Sequence, residues 1–135
     1  MGSGNAENSW VIIDTHLWIP YFAGEKNLET DAIHERIIAK RVCLAGPILY
    51  EILVGPKKAS DRRTLEVRLS RIPMVSCTDK VRTLAVQLGQ EANARSLELP
   101  TFDILIAAHC YVYNLSLYTL DHHFDFFGKL RRFCP

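Results

Sequence analysis

No apolar run in the sequence approaches the roughly 18 to 20 residues that a membrane-spanning helix needs, and the amino end lacks the basic-then-apolar pattern of a secretory signal. A cytoplasmic protein without membrane association is therefore expected. Cysteine is sparse and scattered: Cys43, Cys77, Cys110 and Cys134 form no C-x-x-C pair, which excludes the usual zinc-ligand and redox spacings. These thiols are expected to be reduced and mostly buried. Internal repeats, low-complexity tracts and long linkers are also missing, and 16 basic residues nearly cancel 15 acidic ones. A balanced total does not exclude a nucleic-acid partner, because a basic strip can sit within it. One such strip runs from Lys57 to Arg71, where Lys57, Lys58, Arg62, Arg63, Arg68 and Arg71 face only Asp61 and Glu66, a local +4. The same pattern also describes a solvated helix face.

What is present suffices for one core. The chain has 135 residues, 48% of them apolar, the size and composition of a single domain that needs no staples. The small polar start MGSGNAENS, residues 1–9, is expected to be a disordered tail or a remnant of expression, and residues 10–135 one folded domain. Short apolar runs at WVII, VCLA, PMVSC, SLYTL and LRRFC alternate with helical patterns up to about Lys40, from Pro47, over 60–71, from about Thr78 to Arg95, and from about Thr101 to Asn114. This alternation predicts an α/β fold, with a twisted, mainly parallel sheet of about five strands flanked by helices.

Four acids stand where apolar segments begin or end. WVII runs into Asp14, and SLYTL runs into Asp121. In an open parallel sheet, functional groups collect beyond the carboxyl ends of the strands, although an aspartate before THLWI is equally suited to cap a helix. Glu51 is embedded in GPILYEILVG, a helix start that is apolar almost all round. A buried carboxylate is costly unless paired, so a positive group is expected beside it. Asp103, in LPTFDILIAAH, falls in a first helical turn, where the helix dipole favours negative charge. Acids are common there for local stability alone. Converging carboxylates would repel one another by about 4 kcal/mol per pair at about 4 Å and an effective dielectric near ~20. A divalent cation removes that cost, and oxygen donors without cysteine suit Mg²⁺ or Mn²⁺.

VIIDTHLW, PILYEILVG, DILIAA and the spaced Thr119, Asp121 and Phe124 occur in an order, and at separations, that resemble the PIN-domain ribonucleases. The sequence is similar in particular to the single-domain VapC-type toxins of toxin–antitoxin pairs. The resemblance covers nearly the whole chain from Trp10. It implies that Asp14, Glu51, Asp103 and Asp121 are the acidic quartet, catalytic and metal-binding, supported by Thr119 and by Thr15. It implies Mg²⁺ or Mn²⁺ as cofactor, RNA as substrate, a homodimer and a cognate antitoxin. Gly46 and Pro47 stand where family members often carry a small hydroxyl residue, and TLDHHF carries two histidines at a variable place.

The activity so implied is metal-dependent hydrolysis of RNA phosphodiesters by an activated water. Lys57, Lys58, Arg62 and Arg63, together with Lys129, Arg131 and Arg132, are candidate phosphate contacts. His16, His122 and His123 are close enough in sequence to Asp14 and Asp121 to reach the site, and a metal-free acid–base ribonuclease would use them. Asp125 is a further peripheral acid, expected to face solvent. A phosphoacceptor receiver domain would need an adjacent acid pair early and a late lysine, which are not at the corresponding places. An idle PIN-like module that binds RNA or protein is the main alternative. Leu28, Ile33 and Ile37 are candidates for an apolar groove that receives the antitoxin.

Overall fold

The computed structural model describes residues 9–135, so all but Ser9 of the expected polar tail lies outside the described residues. Three short parallel strands form the centre: β1 (Val11–Ile13), β2 (Val42–Cys43) and β3 (Ser116–Tyr118), in the order β2-β1-β3. PMVSC and LRRFC extend this sheet by one parallel bridge each, Leu44 to Met74 on one side and Leu117 to Arg132 on the other. All five predicted extended segments therefore join one parallel sheet, the two outer ones by a single residue.

Val11, Ile12 and Ile13 are completely buried, which is why their run is apolar without alternation. The register pairs Val11 with Ser116, Ile12 with Leu117 and Ile13 with Tyr118, and the Asp14 amide continues it by donating to the Tyr118 carbonyl at 2.9 Å. Strand order reverses at β1, whose neighbours are reached by successive connections in opposite directions. Such a reversal leaves a crevice at the carboxyl ends of the strands, here between β1 and β3.

Six helices cover the sheet: α1 (Thr15–Phe22), α2 (Leu28–Ile38), α3 (Gly46–Val54), α4 (Ala59–Leu69), α5 (Asp79–Ala94) and α6 (Thr101–Tyr113). The single helical stretch predicted before Lys40 is divided into α1 and α2. Gly24 adopts a positive φ of 81°, and Asn27 and Thr30 form a reciprocal capping box that starts α2 afresh. Helix α6 is the central one, with Ile106, Ala107, Ala108, His109 and Cys110 all buried, and it ends at Asn114 in the left-handed conformation. Helix α4 is the opposite case, burying only Leu69 and exposing nearly every charge.

Three expectations need correction. Helix α3 is not apolar-buried all round: Ile48 and Ile52 enter the core, whereas Tyr50 and Val54 are exposed. Ile33 belongs to the core and Ile37 packs against it, so of the three residues proposed for an apolar groove only Leu28 is exposed. Cys43 and Cys110 are buried, and burial pushes the Cys43 thiol up to about 11, but Cys77 and Cys134 are exposed. No helix among the described residues is long and apolar enough to cross a membrane.

Candidate functional site

Asp14 sits where β1 becomes α1 and serves both roles its position suggests. Its Oδ1 accepts from the Thr15 amide at 2.8 Å, capping the helix, while Oδ2 turns toward β3. There the Thr119 hydroxyl donates to Oδ2 at 2.7 Å, and the same hydroxyl accepts from the Asp121 amide at 3.1 Å. One buried threonine thus ties the first acid to the last across the crevice. His16 Nδ1 lies 3.2 Å from Asp14 Oδ2, and its Nε2 accepts from the Leu120 amide at 3.2 Å. A ring nitrogen that accepts carries no proton, so the neutral form of His16 holds its one proton on Nδ1, facing Asp14.

The charge states follow from these contacts. Burial pushes the Asp14 carboxyl up, but the bonds from His16, Thr119 and the Thr15 amide, with the attraction of His16 when that ring is protonated, outweigh it and hold Asp14 below the usual carboxylate range. The bond to Asp14 raises the His16 imidazole, against some burial, and the charges of Asp14, Asp121 and Asp103 add to that. Asp103 behaves oppositely. Burial, then repulsion from Asp121 and Asp14, pushes it up to about 6, and His123 only partly offsets this.

Asp103 lies in the first turn of α6, whose N-cap, Pro100, provides no side-chain cap. Its Oδ2 is buried and has no hydrogen-bond partner. Asp121 caps a 3₁₀ turn, His122–Phe126, by accepting from the His123 amide at 2.9 Å. That turn brings His123 Nδ1 to 3.4 Å from Asp103 Oδ2 and 3.3 Å from Asp121 Oδ1. One donor atom from each of Asp103, Asp121 and His123 lies within 4.8 Å of the others.

Glu51 reaches the same region from α3. It has no basic partner within ion-pair distance among the described residues. Instead, Thr15 donates its hydroxyl to Glu51 Oε1 at 2.9 Å. No lysine or arginine among the described residues supplies the positive group expected beside Glu51, and the side chain is only half-buried, which lessens the cost of its charge. The quartet is therefore arranged unevenly: Asp103 and Asp121 face each other directly, Asp14 is linked through Thr119, and Glu51 through Thr15. None of the four is neutralised by a lysine or arginine among the described residues.

This donor set fits a divalent cation. A buried carboxylate oxygen without a hydrogen bond beside a second carboxylate, its proton affinity raised by burial and then by their mutual repulsion, is the electrostatic state that a cation relieves. The other predicted residues divide. His122 turns away to Asp125 at 3.3 Å, and Asp125, exposed as expected, also pairs with Arg132 at 2.9 Å. Arg131 donates to the Asn114 carbonyl at 2.6 Å, so two of the three carboxyl-terminal cations are already engaged. Lys57, Lys58, Arg62 and Arg63 are exposed beside α3, with Arg62 3.5 Å from Glu66. The Thr15 to Glu51 bond and the bond from the Leu120 amide to His16 carry no signal in sequence spacing, since each joins residues from separate elements, whereas the closeness of His16 to Asp14 is legible in the sequence.

Residues 11–130 match the family model described as PIN domain. The fold is similar to VapBC2 from Rickettsia felis bound to a DNA fragment from its promoter, with TM-score 0.72 and 20% identity over 89% of this chain and 92% of that one. It is also similar to FitAcB from Neisseria gonorrhoeae, with TM-score 0.74 and 19% identity over 93% and 97%. VapBC-1 from nontypeable Haemophilus influenzae gives TM-score 0.75 and 15% identity over 90% and 95%. No curated protein matches the sequence.

Proposed function

The chain belongs to the PIN domain family, and from that premise we propose that it is a metal-dependent endoribonuclease, the toxin of a toxin–antitoxin pair. The observation that carries this reading is the convergence of Asp103 and Asp121, with Asp14 tied to them through Thr119, and no lysine or arginine among the described residues to neutralise them. A module that only binds has no need to hold repelling acids together. Asp14, Asp103 and Asp121 would hold Mg²⁺ or Mn²⁺, with Glu51 ligating directly or through water. When bound, such a cation polarises the phosphodiester and makes a water nucleophilic at neutral pH.

The chain's own residues supply orientation. Thr119 and His16 fix the Oδ2 of Asp14, the Thr15 amide fixes its Oδ1, and the Thr15 hydroxyl aims Glu51. Lys57, Lys58, Arg62 and Arg63 receive phosphates flanking the scissile bond. Cleavage leaves a 5′-phosphate and a 3′-hydroxyl. The solved neighbours include VapBC assemblies and a toxin–antitoxin complex from Klebsiella pneumoniae, which supports a cognate antitoxin as partner, and the toxin acts as a homodimer in the cytoplasm.

Incubation of the protein with total cellular RNA, with and without Mg²⁺ or Mn²⁺, followed by sequencing of the new ends, tests the proposal. Discrete cuts that require the metal and vanish in Asp14→Ala and Asp103→Ala are expected. Cuts that persist in chelator would point instead to acid–base chemistry by histidines, and intact RNA throughout would point to a binding module.

A further inference from the structure

Three histidines surround the acids, and their geometry separates them. His16 has both ring nitrogens committed, one facing Asp14 and the other accepting from the Leu120 amide. His122 is turned toward Asp125 and is almost wholly exposed. His123 alone presents a ring nitrogen to two carboxylates at once.

The distances bear on what that nitrogen does. A charge-assisted hydrogen bond between imidazole and carboxylate closes to about 2.7 to 2.9 Å, yet Nδ1 stands 3.3 Å from Asp121 Oδ1 and 3.4 Å from Asp103 Oδ2. Neighbouring donors around an octahedral cation with bonds of about 2.1 Å lie about 3 Å apart. Both gaps are too wide for closed charge-assisted hydrogen bonds, and the three donor atoms lie within 4.8 Å of one another, close enough to share a cation. A second observation points the same way: Asp103 Oδ2 is buried and makes no hydrogen bond of normal geometry, with the His123 ring beside it at 3.4 Å. The 3₁₀ turn fixes the approach, because Asp121 caps the amide of the residue whose ring completes the set.

We propose that His123 Nδ1 is a direct metal ligand alongside Asp103 and Asp121, giving the site a preference for transition-metal ions over Mg²⁺. This rests on the metal-dependent reading above and deepens it. Carboxylates alone suit Mg²⁺ and Mn²⁺, whereas imidazole nitrogen adds affinity for Co²⁺ and Ni²⁺ and little for Mg²⁺. With Nδ1 on the metal, the neutral ring carries its proton on Nε2.

The test uses Co²⁺ and Mg²⁺ with the full chain, wild type and His123→Ala, in two measurements. In calorimetric titrations, His123→Ala should lose at least the roughly tenfold affinity for Co²⁺ that removal of even an outer-shell partner costs, with Mg²⁺ affinity changed much less. In proton NMR of the Co²⁺ form, wild type should show one set of hyperfine-shifted imidazole resonances more than His123→Ala, beyond any from His16, whose N–H faces Asp14. His123→Asn, which keeps a polar side chain on the same turn, serves if the alanine variant does not fold. Equal Co²⁺ affinity in wild type and variant, or the same set of shifted imidazole resonances in both, overturns the ligand assignment while leaving the nuclease reading intact. Failure of wild type to bind either ion overturns both.

Discussion

The hydroxyl of Thr119 donates to Asp14 Oδ2 at 2.7 Å, joining residues 105 positions apart in the sequence. Because the same oxygen accepts from the Asp121 amide, Thr119 couples two acids that arrive on different strands. Thr119→Val keeps the shape and removes both bonds. A loss of about 1 to 3 kcal/mol, the cost of leaving buried polar partners unsatisfied, is expected in urea unfolding, together with weaker metal-dependent cleavage. Unfolding within about 0.5 kcal/mol of wild type would show that water replaces the hydroxyl and that the coupling is dispensable.

Asp103 provides a pH signature. Burial, with repulsion from Asp121 and Asp14, lifts its folded value to about 6, above the ordinary 3.8. Between those values the folded protein holds a proton that the unfolded chain has released, so this group lowers stability as pH rises through the window and exerts its full penalty above it. Without divalent metal, Asp103→Asn should melt at a higher temperature than wild type at pH 7, and the gap should close near the lower end of the window. Asp14, held low, contributes in the other direction: its stabilisation is present at neutral pH and fades as pH falls through its lowered folded value. Added Mn²⁺ should stabilise wild type more than Asp103→Asn. A gap between the two proteins that does not vary with pH contradicts this electrostatic account.

Glu51 depends on Thr15. The 2.9 Å bond between them is partly exposed, so Thr15→Val should cost no more than about 1.5 kcal/mol in stability. Cleavage should fall by more than that stability change explains, because Glu51 loses its aim while the fold remains. Thr15→Ser, which restores the donor, should recover most of the rate; recovery absent in a folded serine variant would remove Thr15 from a supporting role.

Much of this arrangement is legible before folding is considered. Asp14 follows a run whose three strand residues are fully buried, and the unbroken apolar pattern already marks a central parallel strand. Asp103 in a first turn, and Asp121 after SLYTL, are placed by the same logic of element ends. Glu51 shows where the logic stops. Its apolar neighbours suggest deep burial and a cationic partner, but α3 exposes Tyr50 and Val54 and leaves the carboxylate half-buried against a threonine. Periodicity fixes which residues share a helix face and not what lies opposite. The division between α1 and α2 at Gly24 and Asn27 lies in turn and cap chemistry that a purely apolar pattern overlooks. In the sequence His123 is visible only as a neighbour of Asp121; its approach to Asp103 depends on the 3₁₀ turn.

The exposed cations of the 57 to 63 segment give a prediction that separates binding from chemistry. Charge reversal at Arg62 and Arg63 should weaken RNA binding and flatten its dependence on salt, by about 0.7 in slope for each single-strand phosphate that is no longer neutralised. Filter binding of a catalytically silenced background across a salt series reads both quantities. An unchanged slope would assign these arginines to a solvated helix face, consistent with Arg62 already lying near Glu66.

The central claim is that Asp14, Asp103 and Asp121 converge closely enough to require a divalent cation. Calorimetric titration of the folded protein with Mn²⁺ tests it most directly. Saturable binding by wild type, lost when Asp14 and Asp103 are both replaced by asparagine in a protein that still unfolds cooperatively, is the predicted result. Undiminished binding by that double variant, or none by folded wild type, would contradict the account.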